Sequence, residues 1–373
     1  MDWQNLKTPC LILDAERVCR NAEQMSARMK AFGVNLRPHV KTHKCAEVAK
    51  IQTEGYAGGL TVSTLAEARA FAEHDFRDLL YAVPVEPGKF DEVCEIAKTC
   101  ERFAVITDDT EIPVLLDETA RRNDVKLDVF LKVDCGYHRC GVAPDAPEVL
   151  EIPRQIADAK NLRFAGILTH AGHAYHAQTE NERLEIARAE RDSMTNLARK
   201  LNENSVEVPA VSIGSTPTIT CVDHLDGITE ARPGNYIFFD AFQAALGSCR
   251  LEDCALTVLT AVVHRSSRER KIIVDAGAIA LSKDAGAIEF DSSAGFGRVS
   301  DSRGDDLNLR VDLLSQEHGT IFVEDEKLFE KLKVGERVRI LANHSCLTAA
   351  QYSFYNVLEG ERIVDRWERF NGW

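Results

Sequence analysis

Residues 34–234 alternate short apolar segments with amphipathic stretches, and this alternation constrains the fold more than any other feature of the sequence. Amphipathic stretches with helical spacing, such as residues 64–74, 89–100 and 180–204, lie between most of the apolar segments. The apolar segments are VNLRPHV (34–40), GGLTVST (58–64), LLYAVPV (79–85), RFAVIT (102–107), DVFLKVD (128–134), FAGILTH (164–170), PAVSIGST (209–216) and DGITEARPG (226–234). Because helix-covered parallel strands read as continuous apolar runs, the pattern predicts an α/β fold with a (β/α)8 TIM barrel. An open doubly wound sheet is the alternative.

Both ends of the chain depart from this rhythm. The segment TPCLILD (8–14) reads as a strand, and residues 15–32 have the spacing of a helix that ends at Gly33. After Phe242 the pattern changes to short alternating segments separated by Gly and Asp turns, which is typical of a β domain. We therefore predict a barrel over residues 1–245 and a β domain over residues 246–373, with the first strand free to pair with the β domain.

Composition excludes several classes of function. The chain has 45 Lys and Arg against 59 Asp and Glu, a net charge of −14, so nucleic acid is not an expected partner. No apolar run approaches the roughly 18 residues of a membrane helix, and we expect no membrane contact. The N-terminus shows no secretory signal, and the 11 scattered cysteines lack a C-x-x-C pair. These features predict a cytoplasmic protein without structural disulfides.

Polar residues follow most of the predicted strands, and in a barrel such residues build the active site at the C-terminal ends of the strands. A lysine at such a position is partly desolvated, and its lowered pKa suits Schiff-base chemistry. A solvated surface lysine is the alternative. The polar groups at these ends are His39 and Lys41, Ser63 and Thr64, Asp134, His138 and Arg139, His170, His173 and Tyr175, the segment GSTPT (214–218), and Arg232 and Gly234.

The segment SIGSTPT offers backbone N–H groups and hydroxyls of the kind that bind phosphate, although a Ser/Thr-rich turn that caps the next helix has the same composition. A lysine imine and a phosphate loop at one barrel mouth are what pyridoxal phosphate requires. Lys41 is the lysine that we expect in this role. His39 alternates with it and is expected beside it, while Lys44 is expected at the solvated start of the next helix.

The segment LANHSCLTAAQ (341–351) suggests a metal site. On a strand, His344 and Cys346 would point to the same face, and an imidazole and a thiolate are common zinc ligands. A buried cysteine beside a structural histidine is the alternative. The three histidines of THAGHAYH (169–176) form a rival metal site.

Together these motifs resemble the family of D-serine dehydratases and D-threo-3-hydroxyaspartate dehydratases, which is related to D-threonine aldolases and more distantly to alanine racemase. The resemblance runs in order through nearly the whole chain. The segments that carry it are TPCLILD, RPHVKTHK, TVSTLAEA, VDCGYHRCGV, THAGHAY, SIGSTPT, EARPGNYIFFD, VDAGAIALSKD, QEHG and NHSCLTAAQ.

The resemblance implies an alanine-racemase type of barrel with a C-terminal β domain, and a head-to-tail homodimer with active sites at the domain and subunit boundaries. Lys41 matches the lysine that binds pyridoxal phosphate covalently. The other residues implied at the cofactor are Arg139 and Tyr175 near its ring, His170 against the ring, Gly214, Ser215 and Thr216 at the phosphate, and Arg232 and Gly234 of the RPG segment, whose arginine matches the one facing the pyridine nitrogen in racemases. His344 and Cys346 match the zinc ligands; Mn²⁺ or another divalent cation is an alternative metal.

Two departures from related families narrow the activity. Alanine racemases use a tyrosine in a GYADG-like segment as a second base, and here the comparable stretch reads VDAGAIALSKD. The aldolases tend to carry His-x-Asp where this chain has His-x-Cys. The resemblance therefore implies a lyase that converts a 3-hydroxy D-amino acid, such as D-serine or D-threo-3-hydroxyaspartate, into a 2-oxo acid and ammonia. A metal-dependent aldolase, a racemase and a non-catalytic pyridoxal-phosphate-binding protein remain alternatives.

Overall fold

The computed structural model describes residues 5–55 and 58–373, and these divide into two units. The barrel unit comprises residues 23–234 and 370–373. The strand unit comprises the described residues up to Ala22 and residues 235–369. Met1–Gln4, part of the stretch in which we expect no signal sequence, lie outside the described residues. None of the helices in the described ranges has the length and apolar character needed to cross a bilayer.

The helices and strands follow closely the segments read from the sequence. The strands are β1 Cys10–Asp14, β2 Asn35–Leu36, β3 Leu60–Val62, β4 Asp78–Pro84, β5 Arg102–Thr107, β6 Leu127–Lys132, β7 Leu162–Leu168, β8 Val211–Ile213, β9 Glu230–Ala231, β10 Leu256–Ser266, β11 Lys271–Val274, β12 Gly297–Asp301, β13 Asp306–Arg310, β14 Leu313–Leu314, β15 Gly319–Phe322, β16 Arg337–Ala342, β17 Phe354–Glu359 and β18 Arg362–Glu368. The helices are α1 Ala15–Phe32, α2 Ala46–Thr53, α3 Leu65–Glu73, α4 Phe90–Ala97, α5 Ile112–Arg122, α6 Glu148–Asp158, α7 Glu180–Glu203, α8 Thr216–Cys221, α9 Ala241–Ala245, α10 Ala278–Leu281, α11 Glu326–Lys331 and α12 Ser345–Ala349.

The barrel unit contains a parallel sheet of eight strands among the residues described, in the order β2-β9-β8-β7-β6-β5-β4-β3. Its two end strands are joined beyond their regular pairing, because the Thr61 N–H donates to the Pro38 carbonyl at 2.9 Å and His39 bridges Thr61. The sheet thus closes into a barrel. The expected (β/α)8 barrel is confirmed, and the open doubly wound sheet is wrong.

Part of the barrel interior is filled by apolar side chains from neighbouring strands. One cluster of buried residues comprises Leu80, Ala104, Ile106, Phe130, Ala165 and Leu168. These residues come from β4 to β7, and inward-pointing side chains of consecutive barrel strands meet in this way. The packed interior leaves the C-terminal ends of the strands as the place for polar side chains.

The strand unit is built on a sheet of ten strands, counted over the described ranges, with the central order β13-β12-β16-β10-β1-β17-β18. Strand β1 pairs antiparallel with β10 and parallel with β17. The second segment of the unit begins at Asn235, ahead of the boundary between residues 245 and 246 expected from the sequence. Asn235 and Asp240 hydrogen-bond to Ser345 within the unit, so residues 235–245 pack with the later chain.

Candidate active site

Lys41 lies in a 3-10 turn, Val40–Thr42, and not at the end of a strand. The regular strand ends at Leu36, and backbone pairing continues only as far as His39, whose N–H donates to the Pro233 carbonyl at 3.0 Å. A strand running through Val40 is therefore wrong. The Lys41 side chain is exposed in the single chain described here, and its partial desolvation stays a prediction.

Lys44 does not lie at the solvated start of a helix. Helix α2 begins at Ala46, and Nζ of Lys44 forms a 2.9 Å ion pair with Oε1 of Glu67. Glu67 is buried and also accepts hydrogen bonds from the backbone and hydroxyl of Ser63. Lys44 thus ties the turn after Lys41 to the start of α3, and it has a structural partner that the sequence did not suggest.

His39 lies close to Lys41, as expected. Burial, and then the positive charges of Lys41 and Arg232, hold the pKa of the imidazole well below its ordinary value, so the ring is neutral. The Nδ1 atom is buried and has no hydrogen-bond partner. A Cβ at Gly234 would lie 2.8 Å from the His39 carbonyl oxygen, so glycine at this position lets the RPG segment pack against the His39 backbone.

Cationic side chains surround His39 and a second buried histidine, His170. Burial lowers the pKa of Arg232 to about 10 and that of Lys132 to about 8. Arg232 donates from its two terminal nitrogens to the Ser212 hydroxyl and the Thr169 carbonyl. The pKa of His170 is held well below its ordinary value by burial and then by Lys41, Arg139 and Lys132. This concentration of positive charge favours an anionic ligand such as a phosphate ester.

Aromatic rings line the loops after β6 and β7. The rings of Tyr137 and His170 lie edge to face with centroids 6.0 Å apart, and the rings of His170 and Tyr175 are 6.4 Å apart. Arg139 is exposed, and its guanidinium carbon lies 5.3 Å from the Tyr137 ring centre. Arg139, His170 and Tyr175 therefore belong to one group of side chains in the barrel unit, as the resemblance implies.

The segment Gly214-Ser215-Thr216 lies at the start of α8, after β8. Ser215 caps this helix: its hydroxyl accepts from the Thr218 N–H, and its own N–H donates to the Thr218 hydroxyl at 3.2 Å. The capping interpretation is thus confirmed. The Gly214 N–H is also engaged, because it donates to Oε1 of Glu190 at 3.1 Å. Two amides of the predicted phosphate loop therefore have protein partners.

His344 and Cys346 meet in the strand unit, but not on a strand. Strand β16 ends at Ala342, and the side-chain amide of the next residue, Asn343, donates to the carbonyls of Asp284 and Gly295. His344 is the N-cap residue of α12, and Cys346 lies in its first turn. The expectation that both residues point to one face of a strand is wrong.

The two side chains nevertheless interact. Burial would lower the pKa of His344, but hydrogen bonds to Asp284 and Cys346 raise it to about 11. The bond to Asp284 joins Nδ1 to Oδ2 at 2.7 Å, which leaves Nε2 as the second ring nitrogen. A histidine bound in this way to a carboxylate, next to a thiol, is the donor set that suits zinc. Across residues 5–55 and 58–373, no group of three His, Cys, Asp or Glu side chains is placed to hold a metal.

The same observation decides against the rival site. His170, His173 and His176 do not form a metal-binding group within the part of the chain that the structure describes. Nδ1 of His170 donates to the Gly214 carbonyl at 3.3 Å, and Gly136 lies against the His173 ring. These histidines pack and hydrogen-bond, and the metal interpretation of THAGHAYH is wrong.

Sequence reasoning missed three residues of these clusters. Lys132 had a signal, since it is the charged residue within the apolar run DVFLKVD. Glu190 lies in the middle of a highly charged helix, and Asp284 is 60 residues from His344. Neither of these two has a local pattern that distinguishes it from a surface acid.

Comparison with known proteins identifies the family. The family model "Alanine racemase, N-terminal domain" matches residues 13–241, and that of the serine dehydratase domain matches residues 255–358. The chain is 36% identical to D-threo-3-hydroxyaspartate dehydratase of Delftia sp. over 99% of its length and 98% of that protein. It is 35% identical to D-serine dehydratase of Dictyostelium discoideum, covering 97% of this chain and 96% of the relative. The chain belongs to the D-serine and D-threo-3-hydroxyaspartate dehydratase family.

Solved structures agree with this membership in the dehydratase family. The structure of the Delftia enzyme superposes with a TM-score of 0.96 over 100% of both chains at 36% identity. The structure of D-threonine aldolase from Filomicrobium marinum superposes with a TM-score of 0.86 at 27% identity, covering 99% of this chain and 96% of the aldolase. The expected alanine-racemase type of fold and the assignment to a lyase family are confirmed, and the fold of such dehydratases implies pyridoxal phosphate.

Proposed function

We propose that this protein is a pyridoxal-phosphate- and metal-dependent dehydratase. It would act on a 3-hydroxy D-amino acid, such as D-serine or D-threo-3-hydroxyaspartate, and release a 2-oxo acid and ammonia. The observation that carries the proposal is the His344–Cys346 pair with its Asp284 partner, in a chain aligned end to end with two dehydratases.

The residues of the barrel unit fit pyridoxal phosphate. Lys41, Lys132, Arg139 and Arg232 supply positive charge around His39 and His170, and the buried Nδ1 of His39 lacks a partner. A phosphate ester and a ring with polar substituents match these groups in charge and in hydrogen bonding. When bound, the cofactor supplies an electron sink for the negative charge that develops at Cα of the substrate.

Lys41 would hold the cofactor covalently and, once displaced by the substrate amine, would take the Cα proton on Nζ. Arg232 would face the cofactor ring, and Arg139, His170 and Tyr175 would line it. Gly214, Ser215, Thr216 and Gly234 would lie at the phosphate end. Lys132 is a second candidate for the covalent lysine, because burial lowers its pKa to about 8, which makes it a better nucleophile near neutral pH.

In the strand unit, His344 and Cys346 would hold the metal, Zn²⁺ in the first instance and Mn²⁺ or another divalent cation as alternatives. The metal would supply Lewis-acid stabilisation for the hydroxide that leaves from Cβ, since hydroxide alone is a poor leaving group. Solved structures of a D-threo-3-hydroxyaspartate dehydratase include a histidine-to-alanine mutant and a cysteine-to-alanine mutant, two positions apart, the latter in a metal-free form. The spacing matches His344 and Cys346.

We also propose that the active enzyme is a cytoplasmic homodimer, as the resemblance implies. The eleven cysteines of the chain are free, which suits a reducing compartment. Light scattering on the purified protein should give twice the monomer mass; the mass of one chain would contradict this part of the proposal.

A product assay tests the proposed activity. We expect D-serine or D-threo-3-hydroxyaspartate, incubated with the purified protein, pyridoxal phosphate and Zn²⁺, to yield 2-oxo acid and ammonia in equal amounts. Treatment with a chelator should abolish this turnover without removing the absorption band of the bound cofactor. Exchange of the substrate hydrogen at Cα without product would indicate a racemase.

A metal-dependent aldolase is the second candidate, because 3-hydroxy-D-aspartate aldolase of Paracoccus denitrificans is 29% identical over 98% of the chain. The same assay separates the two activities. Glycine and an aldehyde as the main products, from D-threonine or 3-hydroxy-D-aspartate, would overturn the dehydratase proposal.

A further inference from the structure

Glu190 is a buried acid in helix α7 of the barrel unit. Its side chain is 1% exposed. It lies on the inner face of the helix, which also buries Ala187 and Met194, three and four residues away. A glutamate on such a face is unusual, because burying a charged group is costly unless hydrogen bonds compensate for it.

Its carboxylate connects two loops at the barrel mouth. Oε1 accepts a hydrogen bond from the Ala171 N–H at 3.0 Å and another from the Gly214 N–H at 3.1 Å. Ala171 follows β7 and lies next to His170, while Gly214 follows β8 and begins the predicted phosphate loop. One oxygen atom therefore contacts both loops to which the proposed function assigns cofactor residues.

The contact lies where the backbone pairing of β7 with β8 ends. The strands pair as far as Leu168 with Ser212, and the Thr169 N–H still donates to the Ser212 carbonyl at 3.0 Å. Beyond this point hydrogen bonds from side chains take the place of backbone pairing between the two strands. Glu190 accepts from Gly214 on one side, and Nδ1 of His170 donates to the Gly214 carbonyl on the other. Both polar groups of the Gly214 backbone are thus held.

The second carboxylate oxygen argues for more than a structural role. Oε2 of Glu190 is buried and has no hydrogen-bond partner. Such an atom costs stability, and costly groups of this kind concentrate at functional sites. The carboxylate also acts electrostatically on Arg232, which lies in the cationic cluster of the candidate site.

We propose that Glu190 is a positioning residue that holds the loops after β7 and β8 in the arrangement that binds the cofactor. The inference rests on the proposed function in so far as that cofactor is pyridoxal phosphate. We assign Glu190 no contact with the reacting atoms. It acts through the Ala171 and Gly214 amides, so its contribution depends on an acceptor oxygen at Oε1.

Two variants distinguish the effect of the acceptor oxygen of Glu190 from the effect of its side-chain size. Glu190→Leu removes the acceptor oxygen at similar size, and Glu190→Gln keeps an oxygen that both amides can reach. We expect the Leu variant to bind pyridoxal phosphate at least tenfold more weakly in a titration of the cofactor-free protein. The Gln variant should recover affinity to within about threefold of the unchanged protein. Glu185→Leu, an exposed position on the same helix, is the matched control and should leave the affinity unchanged.

Hydrogen exchange in the cofactor-free protein gives an independent readout. The peptides that contain Ala171 and Gly214 should exchange faster in Glu190→Leu and at the normal rate in Glu190→Gln. If the unchanged protein binds no pyridoxal phosphate, the proposed function fails, and these exchange rates still test the link between the loops. If Glu190→Leu does not fold, Glu190→Asp, which is one methylene too short to reach both amides, takes its place with the same expectation.

Three results would overturn the inference. The first is cofactor affinity in Glu190→Leu equal to that of the unchanged protein. The second is equal weakening in Glu190→Leu and Glu190→Gln, which would assign the effect to charge and not to the two hydrogen bonds. The third is a lowered melting temperature with unchanged cofactor affinity and unchanged exchange at Ala171 and Gly214, which would show a purely structural role.

Discussion

Oδ2 of Asp284 accepts a hydrogen bond from Nδ1 of His344 at 2.7 Å. The bond orients the imidazole ring and leaves Nε2 as the ring atom for a metal. Carboxylates that orient metal-binding histidines typically contribute a factor of about 10 to 100 in metal affinity. Asp284 therefore belongs to the proposed metal site even though it is not a proposed ligand.

Asp284→Asn should weaken Zn²⁺ binding by about 10- to 100-fold, because the amide is a poorer acceptor for the His344 N–H. Competition with a chromophoric chelator measures the affinity directly. Asp291→Asn, an exposed aspartate later in the same segment, is the control. Equal affinities for Asp284→Asn and the unchanged protein would remove Asp284 from the site.

Substitution distinguishes Lys41 from Lys132 as the lysine that binds the cofactor covalently. Lys41→Ala should abolish the absorption band of covalently bound pyridoxal phosphate, and Lys132→Met should retain it. Borohydride reduction of the bound cofactor followed by peptide mapping identifies the modified lysine. A reduced cofactor on Lys132, with the band intact in Lys41→Ala, would transfer the covalent role to Lys132.

Gly234→Ala tests the close packing beside His39. The new methyl group would lie 2.8 Å from the His39 carbonyl and 3.0 Å from its Cβ, so the turn that carries Lys41 must shift. We expect overpacking to cost about 1–3 kcal/mol in the free energy of unfolding and to weaken cofactor binding. Gly58→Ala is the control, because its methyl group would meet its nearest neighbour at an ordinary 3.6 Å. Identical unfolding curves for Gly234→Ala and Gly58→Ala would contradict this prediction.

The lowered pKa of Lys132 predicts that the stability difference between the unchanged protein and Lys132→Met depends on pH. Burial lowers its pKa from 10.5 to about 8 in the folded protein. Below pH 8 the Lys132 amine is protonated in both the folded and the unfolded protein. The folded protein is then destabilised by the full free energy of burying the charged ammonium group. Between pH 8 and 10.5 the Lys132 amine is deprotonated in the folded protein but still protonated in the unfolded protein. The destabilisation from the buried charge therefore disappears as pH rises.

The cofactor-free protein should therefore gain roughly 2–3 kcal/mol of stability relative to Lys132→Met across that interval. Urea unfolding of the two proteins at a series of pH values from 7 to 10 measures the difference. Parallel pH profiles would show that Lys132 titrates normally in the folded protein.

The fold could be predicted from the sequence because its signals are periodic and local. All eight barrel strands were placed by apolar runs, and α1 was predicted over the same residues, Ala15–Phe32. The errors occurred where a strand ends earlier than the apolar segment in the sequence suggests. The backbone pairing stops at His39 and β16 stops at Ala342, so neither Lys41 nor His344 lies on a strand.

The candidate site was predictable where motif and strand end coincide, as for His170 and Arg232. It was not predictable where the partner is distant along the chain. Glu190 and Asp284 act through hydrogen bonds to residues 19 to 60 positions away, and an acid in a charged segment gives no sign of such a partner. Burial distinguishes Glu190, and a distant hydrogen-bond partner distinguishes the half-buried Asp284; both are properties of the folded chain.

The position of β1 has a consequence for biosynthesis. Strand β1 is synthesised before residues 23–234 of the barrel unit, yet both of its partners, β10 and β17, are synthesised after them. Its exposed backbone edge must wait through most of translation, so the barrel sequence can collapse first while the sheet of the strand unit is completed last. Nascent chains stalled before Phe354 should thus leave β1 with one edge unpaired, a form suited to capture by a chaperone.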